Sequence, residues 1–297
     1  MNTSRVDEGM KIFSENPLEG KISLSSGIEE VKEINGMPCF KRAFLPKKPW
    51  TDPTPEEMNI LRGSKDATNE YQQFALLNIP AKLREDFHAL KLYECNSYQD
   101  SERITRTPAY TRVLNDFIDH FKPWHKGEEP PVPHQIFIGQ GGLTTTTFNR
   151  QENFFIGMHL DSFERKPMNQ RHIARNRICI NLGKEPRYLL FINLEYRQIV
   201  KKAGFNDNFI NEPHHHHYEA LYKFYEMFPN YPILRLKVDP YEAYLAPTEN
   251  VVHDGTTEET RSTDVNLAVR GYYQRGESLM PPVAPAKKSF FRSLFGK

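Results

Sequence analysis

The feature that most constrains the fold is a series of short segments, rich in β-branched and aromatic residues, that follows the proline-rich stretch KGEEPPVPH. Gly, Pro, Asn and Asp residues separate these segments, whose lengths are typical of β-strands. Eight such runs suit a jelly roll, in which two sheets pack face to face. The runs are HQIFIGQ, LTTTTFNR, FFIGMHLDSF, NRICINLG, RYLLFINL, ILRLKV, EAYLAPTENVVHD and DVNLAVRGYYQ.

The remainder of the chain predicts supporting elements around this β core. Apolar residues in RVLNDFIDHF recur at helical spacing, so we expect a helix with one buried stripe there. We predict a mostly helical supporting region over 1–128, a β core over 129–276 with a helical insertion at about 211–228, and a flexible tail over 277–297. The expected fold class is therefore mainly β with flanking helices (α+β).

Composition excludes several classes of function. Lys plus Arg number 39 against 38 Asp plus Glu, so no global field would steer a nucleic acid to this chain. Cys39, Cys95 and Cys179 lack CxxC spacing, which predicts neither a disulfide framework nor a zinc knuckle. No signal-like or membrane-spanning apolar run occurs. We expect a cytoplasmic protein without a membrane span, and its oligomeric state is left open.

The segment FFIGMHLDSF contains the first candidate site residues. His159 and Asp161 are two positions apart, so on a strand both side chains leave the same face. His253, in VVHDGT, offers a third ligand 92 positions after Asp161. Two imidazoles and one carboxylate form a facial ligand set that leaves coordination sites of iron(II) free. Zinc accepts the same atoms, but its catalytic sites more often carry HExxH or a third histidine, and neither pattern is present.

With these residues the sequence resembles the iron(II)/2-oxoglutarate-dependent dioxygenases, whose pattern is HxD, a distant His and then an Arg. The resemblance implies a double-stranded β-helix (cupin-like) core over roughly 130–275, with iron(II), 2-oxoglutarate and O₂ as cofactor and cosubstrates. In that family the Arg pairs with the distal carboxylate of 2-oxoglutarate. Two positions compete for this role, and we favour Arg270, which shares a strand face with Asn266 and Ala268, over Arg261 in the preceding turn.

The resemblance also implies the type of reaction. The related halogenases replace the acid with a small residue, whereas this chain keeps Asp161. Hydroxylation, desaturation or cyclisation through hydrogen abstraction by a ferryl species is therefore expected. We predict a small-molecule substrate, such as an amino acid or biosynthetic intermediate. Two alternatives are a protein or peptide side-chain hydroxylase and a non-catalytic cupin-like binding protein.

Four further features have both a structural and a functional interpretation. Thr144 to Thr147 suit a strand but could also line a ligand site. Arg175, Arg177 and Arg187 suit the rim of a sheet, or one of them could bind an anionic substrate. His214 to His217 suit a solvated helix start better than a metal site. The tail SFFRSLFGK could contact a membrane surface or dock on its own domain.

Overall fold

The computed structural model describes residues 4–63, 73–211 and 217–274. Within these ranges the chain forms fifteen strands and seven α-helices. The strands are β1 (Ile12–Ser14), β2 (Ile22–Leu24), β3 (Gly27–Ile34), β4 (Met37–Lys47), β5 (Phe74–Asn78), β6 (Val132–Pro133), β7 (Phe137–Gly139), β8 (Phe148–Asn149), β9 (Phe154–Phe155), β10 (Asn176–Asn181), β11 (Arg187–Glu195), β12 (Leu234–Val238), β13 (Glu242–Ala246), β14 (Val251–Thr256) and β15 (Asp264–Gly271). The helices are α1 (Pro55–Leu61), α2 (Ala81–Ala89), α3 (Tyr98–Thr105), α4 (Pro108–Phe121), α5 (Tyr196–Lys202), α6 (Asp207–Asn211) and α7 (His217–Met227).

Two sheets form the core of the fold. The larger sheet has the order β1-β5-β13-β10-β15-β6, with β7 also paired to β15, and the smaller sheet has the order β14-β11-β12-β2. From β10 to β15 the chain crosses repeatedly between the two sheets, and most of the pairs are antiparallel. This winding is that of a double-stranded β-helix, so the predicted fold class is confirmed.

The alternation of side chains along the strands fixes which face of each sheet is internal. Leu189 and Phe191 of β11 point between the sheets, where the Phe191 ring lies 3.9 Å from that of Phe74. The neighbouring Leu190 and Ile192 leave the opposite face and pack against helices α5 and α7. On the larger sheet, α2 and α4 cover the outer face in the same way. Helices therefore cover the outer faces of both sheets, and the inner faces enclose the space between them.

Helix α4 forms where its apolar stripe predicts. Thr107 caps it by accepting a hydrogen bond from the Tyr110 amide, and Pro108 occupies the first turn, where a missing N–H costs nothing. Val113, Phe117 and Phe121 are all buried against the larger sheet.

The N-terminal region differs from the mostly helical support predicted for 1–128. It contains five strands as well as four helices, and β1, β2 and β5 extend the two core sheets. The alternating burial of β2 and the fully apolar FALL run of β5 suit strands that add to a sheet edge. These residues are thus part of the β core and do not form a separate layer.

Four predicted elements require correction. LTTTTFNR is mostly loop, with only Phe148–Asn149 in a strand. The regular strand in FFIGMHLDSF ends at Phe155, although pairing resumes at His159. EAYLAPTENVVHD is two strands, because the segment 247–250 turns between the sheets. The helical insertion begins earlier than predicted, with α5 at Tyr196.

Three features of the sequence fall partly or wholly outside this description. The tail over 277–297 and His214 to His216 lie outside the described residues, and the side chain of His217 does too.

Among the helices of the described ranges, none combines the length and apolar character needed to cross a bilayer.

Candidate metal centre and adjoining cavity

The HxD segment lies against β14 as an extended stretch. The His159 amide donates to the His253 carbonyl at 3.0 Å, and the His253 amide donates to the His159 carbonyl at 2.8 Å. This mutual pair sets the two histidines directly opposite each other. Asp161, two residues on, emerges on the same face, while Met158 and Leu160 are buried on the other.

The three predicted ligands converge on one point. His159 Nε2 lies 3.7 Å from Asp161 Oδ1, and His253 Nε2 lies 3.6 Å from Asp161 Oδ2. One donor atom from each of the three side chains can be chosen so that all lie within 4.8 Å of one another. All three residues are buried, with His253 only 2% exposed. Such a cluster can hold a single cation.

The second ring nitrogen of each histidine is already engaged. His159 Nδ1 donates to the Gly157 carbonyl at 2.8 Å, and His253 Nδ1 donates to the Val251 carbonyl at 3.0 Å. These bonds favour the tautomer protonated at Nδ1, in which the lone pair of a neutral imidazole is on Nε2. Asp161 Oδ2 is buried and accepts no hydrogen bond from the described residues. The donor set therefore fits an iron(II) ion held by two imidazoles and one carboxylate.

The electrostatics of the cluster favour neutral His253 and ionised Asp161, which are the forms that bind a metal. Burial is the main cause that lowers the pKa of His253 to about 3, so this imidazole is neutral at pH 7. Burial alone would raise the pKa of Asp161, but Arg177, His253 and His159 lower it well below its usual range. For His159, burial opposes protonation, yet the adjacent Asp161 raises its pKa overall. A divalent cation would compete with that proton.

Arg177, on β10, is the cation closest to this cluster among the described residues. Its Nη1 lies 3.3 Å from Asp161 Oδ2, and its Nη2 donates to His253 Nε2 at 3.0 Å. The guanidinium therefore uses the same lone pair of His253 that a metal would take. Sequence reasoning placed Arg177 at the rim of the sheet, with binding of an anionic substrate as the alternative.

A cavity of about 740 Å³ opens from the three ligands into the space between the sheets. Arg187, on β11, lines its deep part, and the Arg187 side chain is 8% exposed. Arg187 Nε donates to Asp264 Oδ1 at 3.1 Å, and its Nη1 donates to the Tyr244 hydroxyl at 3.4 Å. Asp264 raises the pKa of this guanidinium against the effect of burial, so it stays charged.

The strand repeat gives the depth of Arg187 below the ligands. Arg187 Nη1 lies 3.8 Å from the Cys179 sulfur, and Cys179 is two residues after Arg177 on β10. Two residues of a strand span about 6.6 Å. Arg187 is therefore roughly one strand repeat deeper than Arg177, which contacts the ligands directly.

The two arginines predicted from the family pattern lie elsewhere. Arg270, on β15, shares a face with Asn266 and Ala268, which line the cavity, while Val265 and Leu267 pack outside. This alternation along β15 is the predicted one. The Arg270 guanidinium lies 4.6 Å from the Phe163 ring, at the outer end of the cavity. Arg261 is exposed in the turn after β14, where its amide donates to Glu185.

The threonine-rich loop contributes to the cavity wall. Thr146 and Thr147 line the cavity, and Thr147 Oγ1 donates to Asp254 Oδ1 at 2.7 Å. Burial raises the pKa of Asp254 to about 6. A Cβ on Gly255 would lie 2.4 Å from Thr146 Oγ1 and 3.3 Å from Arg187 Nη2, so glycine leaves room for both side chains.

Arg175 lies apart from the centre, in ion pairs with Glu129 and Glu164. The sequence analysis assigned no role to Tyr244 and gave Arg187 either a rim position or a contact with an anionic substrate. The signal was present, because Arg187 shares the strand face of Leu189 and Phe191, which is the internal face.

Comparison with known proteins gives only distant structural likenesses. No family model and no curated protein matches this sequence. Among solved structures, the chain is similar to the Kdo hydroxylase KdoO, described as a non-heme Fe(II) alphaketoglutarate-dependent dioxygenase. The complex of KdoO with succinate and Fe(III) matches with a TM-score of 0.34 and 11% identity, over 68% of this chain and 80% of that one. The apo structure matches with a TM-score of 0.35 and 11% identity, over the same shares.

The chain is wound as a double-stranded β-helix, and His159, Asp161 and His253 meet at one end of the space between its sheets. The described residues thus combine a double-stranded β-helix core with a two-histidine, one-carboxylate cluster, as the sequence resemblance implies.

Proposed function

We propose that this protein is an iron(II)/2-oxoglutarate-dependent dioxygenase that oxidises a small molecule. The observation that carries the proposal is the convergence of His159 Nε2, His253 Nε2 and the Asp161 carboxylate, with both Nδ1 atoms already bonded to carbonyls. This arrangement supports a two-histidine, one-carboxylate iron site. When bound, iron(II) supplies the oxygen activation that couples decarboxylation of 2-oxoglutarate to oxidation of a substrate.

The spacing of charges supports 2-oxoglutarate as the cosubstrate and Arg187 as its anchor. The four carbon–carbon bonds that join its two carboxylates, each about 1.5 Å, give a reach of about 5 Å. Arg187 contacts Cys179, which lies about one strand repeat, roughly 6.6 Å, along β10 from Arg177, the arginine that contacts Asp161. A dicarboxylate with one end at the ligands can therefore place its distal carboxylate against Arg187. The Tyr244 hydroxyl, which accepts from Arg187, can donate its own proton to the same carboxylate.

This assignment replaces Arg270, the residue favoured from the family pattern, with Arg187. On β15 the residue near Arg187 is Asp264, and Arg270 is six residues further along the strand. Arg270 is the register partner of Arg177, about one strand repeat from the level of Cys179, and its guanidinium lies against the Phe163 ring, whereas Arg187 contacts Cys179 itself. Arg261, the second sequence candidate, is exposed outside the cavity.

A small-molecule substrate is supported by the size of the cavity. Its volume of about 740 Å³ lies within the range typical of sites for small ligands. The walls combine apolar rings with many polar and charged groups, which can orient a polar ligand. Hydroxylation is the reaction we favour, because the acidic ligand of the site is retained.

The test is formation of succinate from 2-oxoglutarate by purified protein with iron(II), ascorbate and O₂. The screen runs across a panel of amino acids and small acids, with mass spectrometry of the added compound. Asp161→Ala should abolish succinate formation, whereas Asp116→Ala, an acid on the exposed face of α4, should leave it unchanged.

Other outcomes identify the alternative functions. Iron binding without consumption of 2-oxoglutarate would contradict the proposal and favour a cupin-like binding protein. Turnover that is stimulated only by polypeptides would favour a side-chain hydroxylase.

A further inference from the structure

A cluster of one arginine, one histidine and one phenylalanine lies at the outer end of the cavity, away from Arg187. It consists of Arg270 on β15, His134 between β6 and β7, and Phe163, two residues after Asp161. The Arg270 guanidinium lies 4.6 Å from the centre of the Phe163 ring, and the His134 ring lies 5.4 Å from it. Phe163 therefore bridges the other two side chains. We call Arg270, His134 and Phe163 the outer cluster.

Three side-chain nitrogen atoms of the outer cluster have no hydrogen-bond partner among the described residues. Arg270 Nε, Arg270 Nη1 and His134 Nε2 are shielded from solvent, and none makes a hydrogen bond with the described residues. A buried polar group without a partner costs about 1–3 kcal/mol, and more when it is charged. Three such atoms in one place favour a ligand that supplies acceptors.

Three other arginines in or near the cavity are already paired, while Arg150, which also lines the cavity, is solvent-exposed and lies 4.4 Å over the Tyr98 ring. Arg187 bonds Asp264, Arg177 contacts Asp161, and Arg175 pairs with Glu164. Arg270 has no carboxylate within ion-pair distance among the residues that the structure describes. Its positive charge therefore remains to be neutralised by a bound group.

The position of the outer cluster suits a substrate better than the cosubstrate. Arg270 and Arg177 are register partners on neighbouring strands, so Arg270 lies at the level of the metal ligands. Phe163 and His134 line the cavity there, and the Phe163 ring is 51% exposed at its mouth. A molecule held by Arg270 would lie beside the metal centre, on the side open to solvent. The deep end would stay free for 2-oxoglutarate.

We propose that the substrate carries an oxyacid group, a carboxylate or a phosphate, which Arg270 and His134 bind while the rest of the molecule reaches the metal centre. This proposal rests on the proposed function, because it names the substrate class of the same site. The planar guanidinium can donate two parallel hydrogen bonds to two oxygens of such a group. The face of Phe163 holds the guanidinium by a cation–π contact and shields the ion pair from water.

The test compares matched pairs of compounds, each carboxylate with its amide and each phosphate monoester with its parent alcohol. Substrate-dependent succinate formation should require the charged member of a pair. Arg270→Gln should lower kcat/KM for that member by about 30-fold or more, since loss of one partner of a buried charge pair costs at least about 2 kcal/mol. The Kd for 2-oxoglutarate should change less than twofold. Arg84→Gln, an exposed arginine on α2, is the matched control.

A second readout does not depend on turnover. Inorganic phosphate and the panel carboxylates should raise the Tm of the metal-free wild-type protein more than that of Arg270→Gln. Comparing the Tm shift with carboxylates and the Tm shift with phosphate then shows which oxyacid is bound.

Three results would overturn the proposal. The first is equal activity with neutral and charged members of a pair. The second is a loss of 2-oxoglutarate affinity in Arg270→Gln as large as the loss for the substrate, which would make Arg270 the cosubstrate anchor. The third is an equal anion response of wild-type and variant Tm. Failure of the proposed function would appear separately, as absence of succinate formation with every compound while the anion-dependent Tm shift persists.

Discussion

The Arg187–Asp264 pair allows the cosubstrate assignment to be tested apart from folding. The two side chains are 8% and 1% exposed and are 3.1 Å apart. Arg187→Met leaves Asp264 charged, buried and without its ion-pair partner, which should lower the free energy of unfolding by about 3–5 kcal/mol. The same change removes the guanidinium proposed to hold 2-oxoglutarate. Stability and affinity would therefore fall together in this single variant.

The double variant Arg187→Met/Asp264→Asn separates the two effects. Replacing both partners leaves no unpaired buried charge, so most of the stability should return. The cosubstrate anchor is still absent, and the Kd for 2-oxoglutarate should rise by about 30-fold or more, which corresponds to at least about 2 kcal/mol.

The assay is anaerobic titration of 2-oxoglutarate into iron(II)-loaded protein, followed by the metal-to-ligand charge-transfer absorption, with unfolding measured by urea. Asp264→Asn is the matched control, because it keeps Arg187 and should retain binding despite a lower stability. If the double variant folds and binds 2-oxoglutarate with wild-type affinity, Arg187 is not the anchor.

Three further predictions address metal affinity, acid stability and cavity shape. Arg177→Met should bind Co²⁺ roughly ten- to a hundredfold more tightly in an equilibrium titration, because a charged hydrogen bond no longer competes for the ligands; equal or weaker binding would contradict this. For Glu57, burial alone would raise the pKa, but hydrogen bonds from Arg5 and the backbone lower it from 4.5 to about 2. The resulting contribution of about 3 kcal/mol is present above pH 4.5 and is lost as the pH falls towards 2. Measured by urea unfolding, the free energy of unfolding should fall less between pH 7 and pH 2 in Glu57→Gln than in the wild type. An equal fall in both proteins would refute the contribution assigned to Glu57. Gly255→Ala would overpack the cavity wall against Thr146, at a cost of about 1–3 kcal/mol, and should weaken 2-oxoglutarate binding in the same anaerobic titration. Unchanged affinity would contradict this prediction and show that the cavity wall accommodates the added methyl group.

The sequence was informative where one local pattern determines the geometry. The two-residue spacing of His159 and Asp161 predicts a common side-chain direction, and the extended backbone beside β14 provides it. The alternation along β15 likewise separated the cavity face from the helix-covered face. In both cases the relevant physics lies within a few neighbouring residues.

Features that depend on distant pairing were predicted less well. The strands β1, β2 and β5 complete core sheets formed by residues far away in sequence, so local composition alone favoured a helical support. The run EAYLAPTENVVHD looks continuous, yet its segment 247–250 carries the chain from one sheet to the other. Local periodicity does not specify which sheet a strand joins.

The arginines show the same limit for the site. Most arginines on strands are exposed, so Arg177 and Arg187 were assigned mainly to the rim, although both are close to buried acids. The strand neighbours of each arginine distinguish an internal position from a rim position, but only once the internal face of each sheet is known.

The most direct test of the metal centre is anomalous diffraction from crystals of the full chain grown with iron(II) under exclusion of oxygen. We expect a single anomalous peak bonded to His159 Nε2, His253 Nε2 and the Asp161 carboxylate. A peak at other side chains, or a peak at this centre that lacks one of these three ligands, would contradict it.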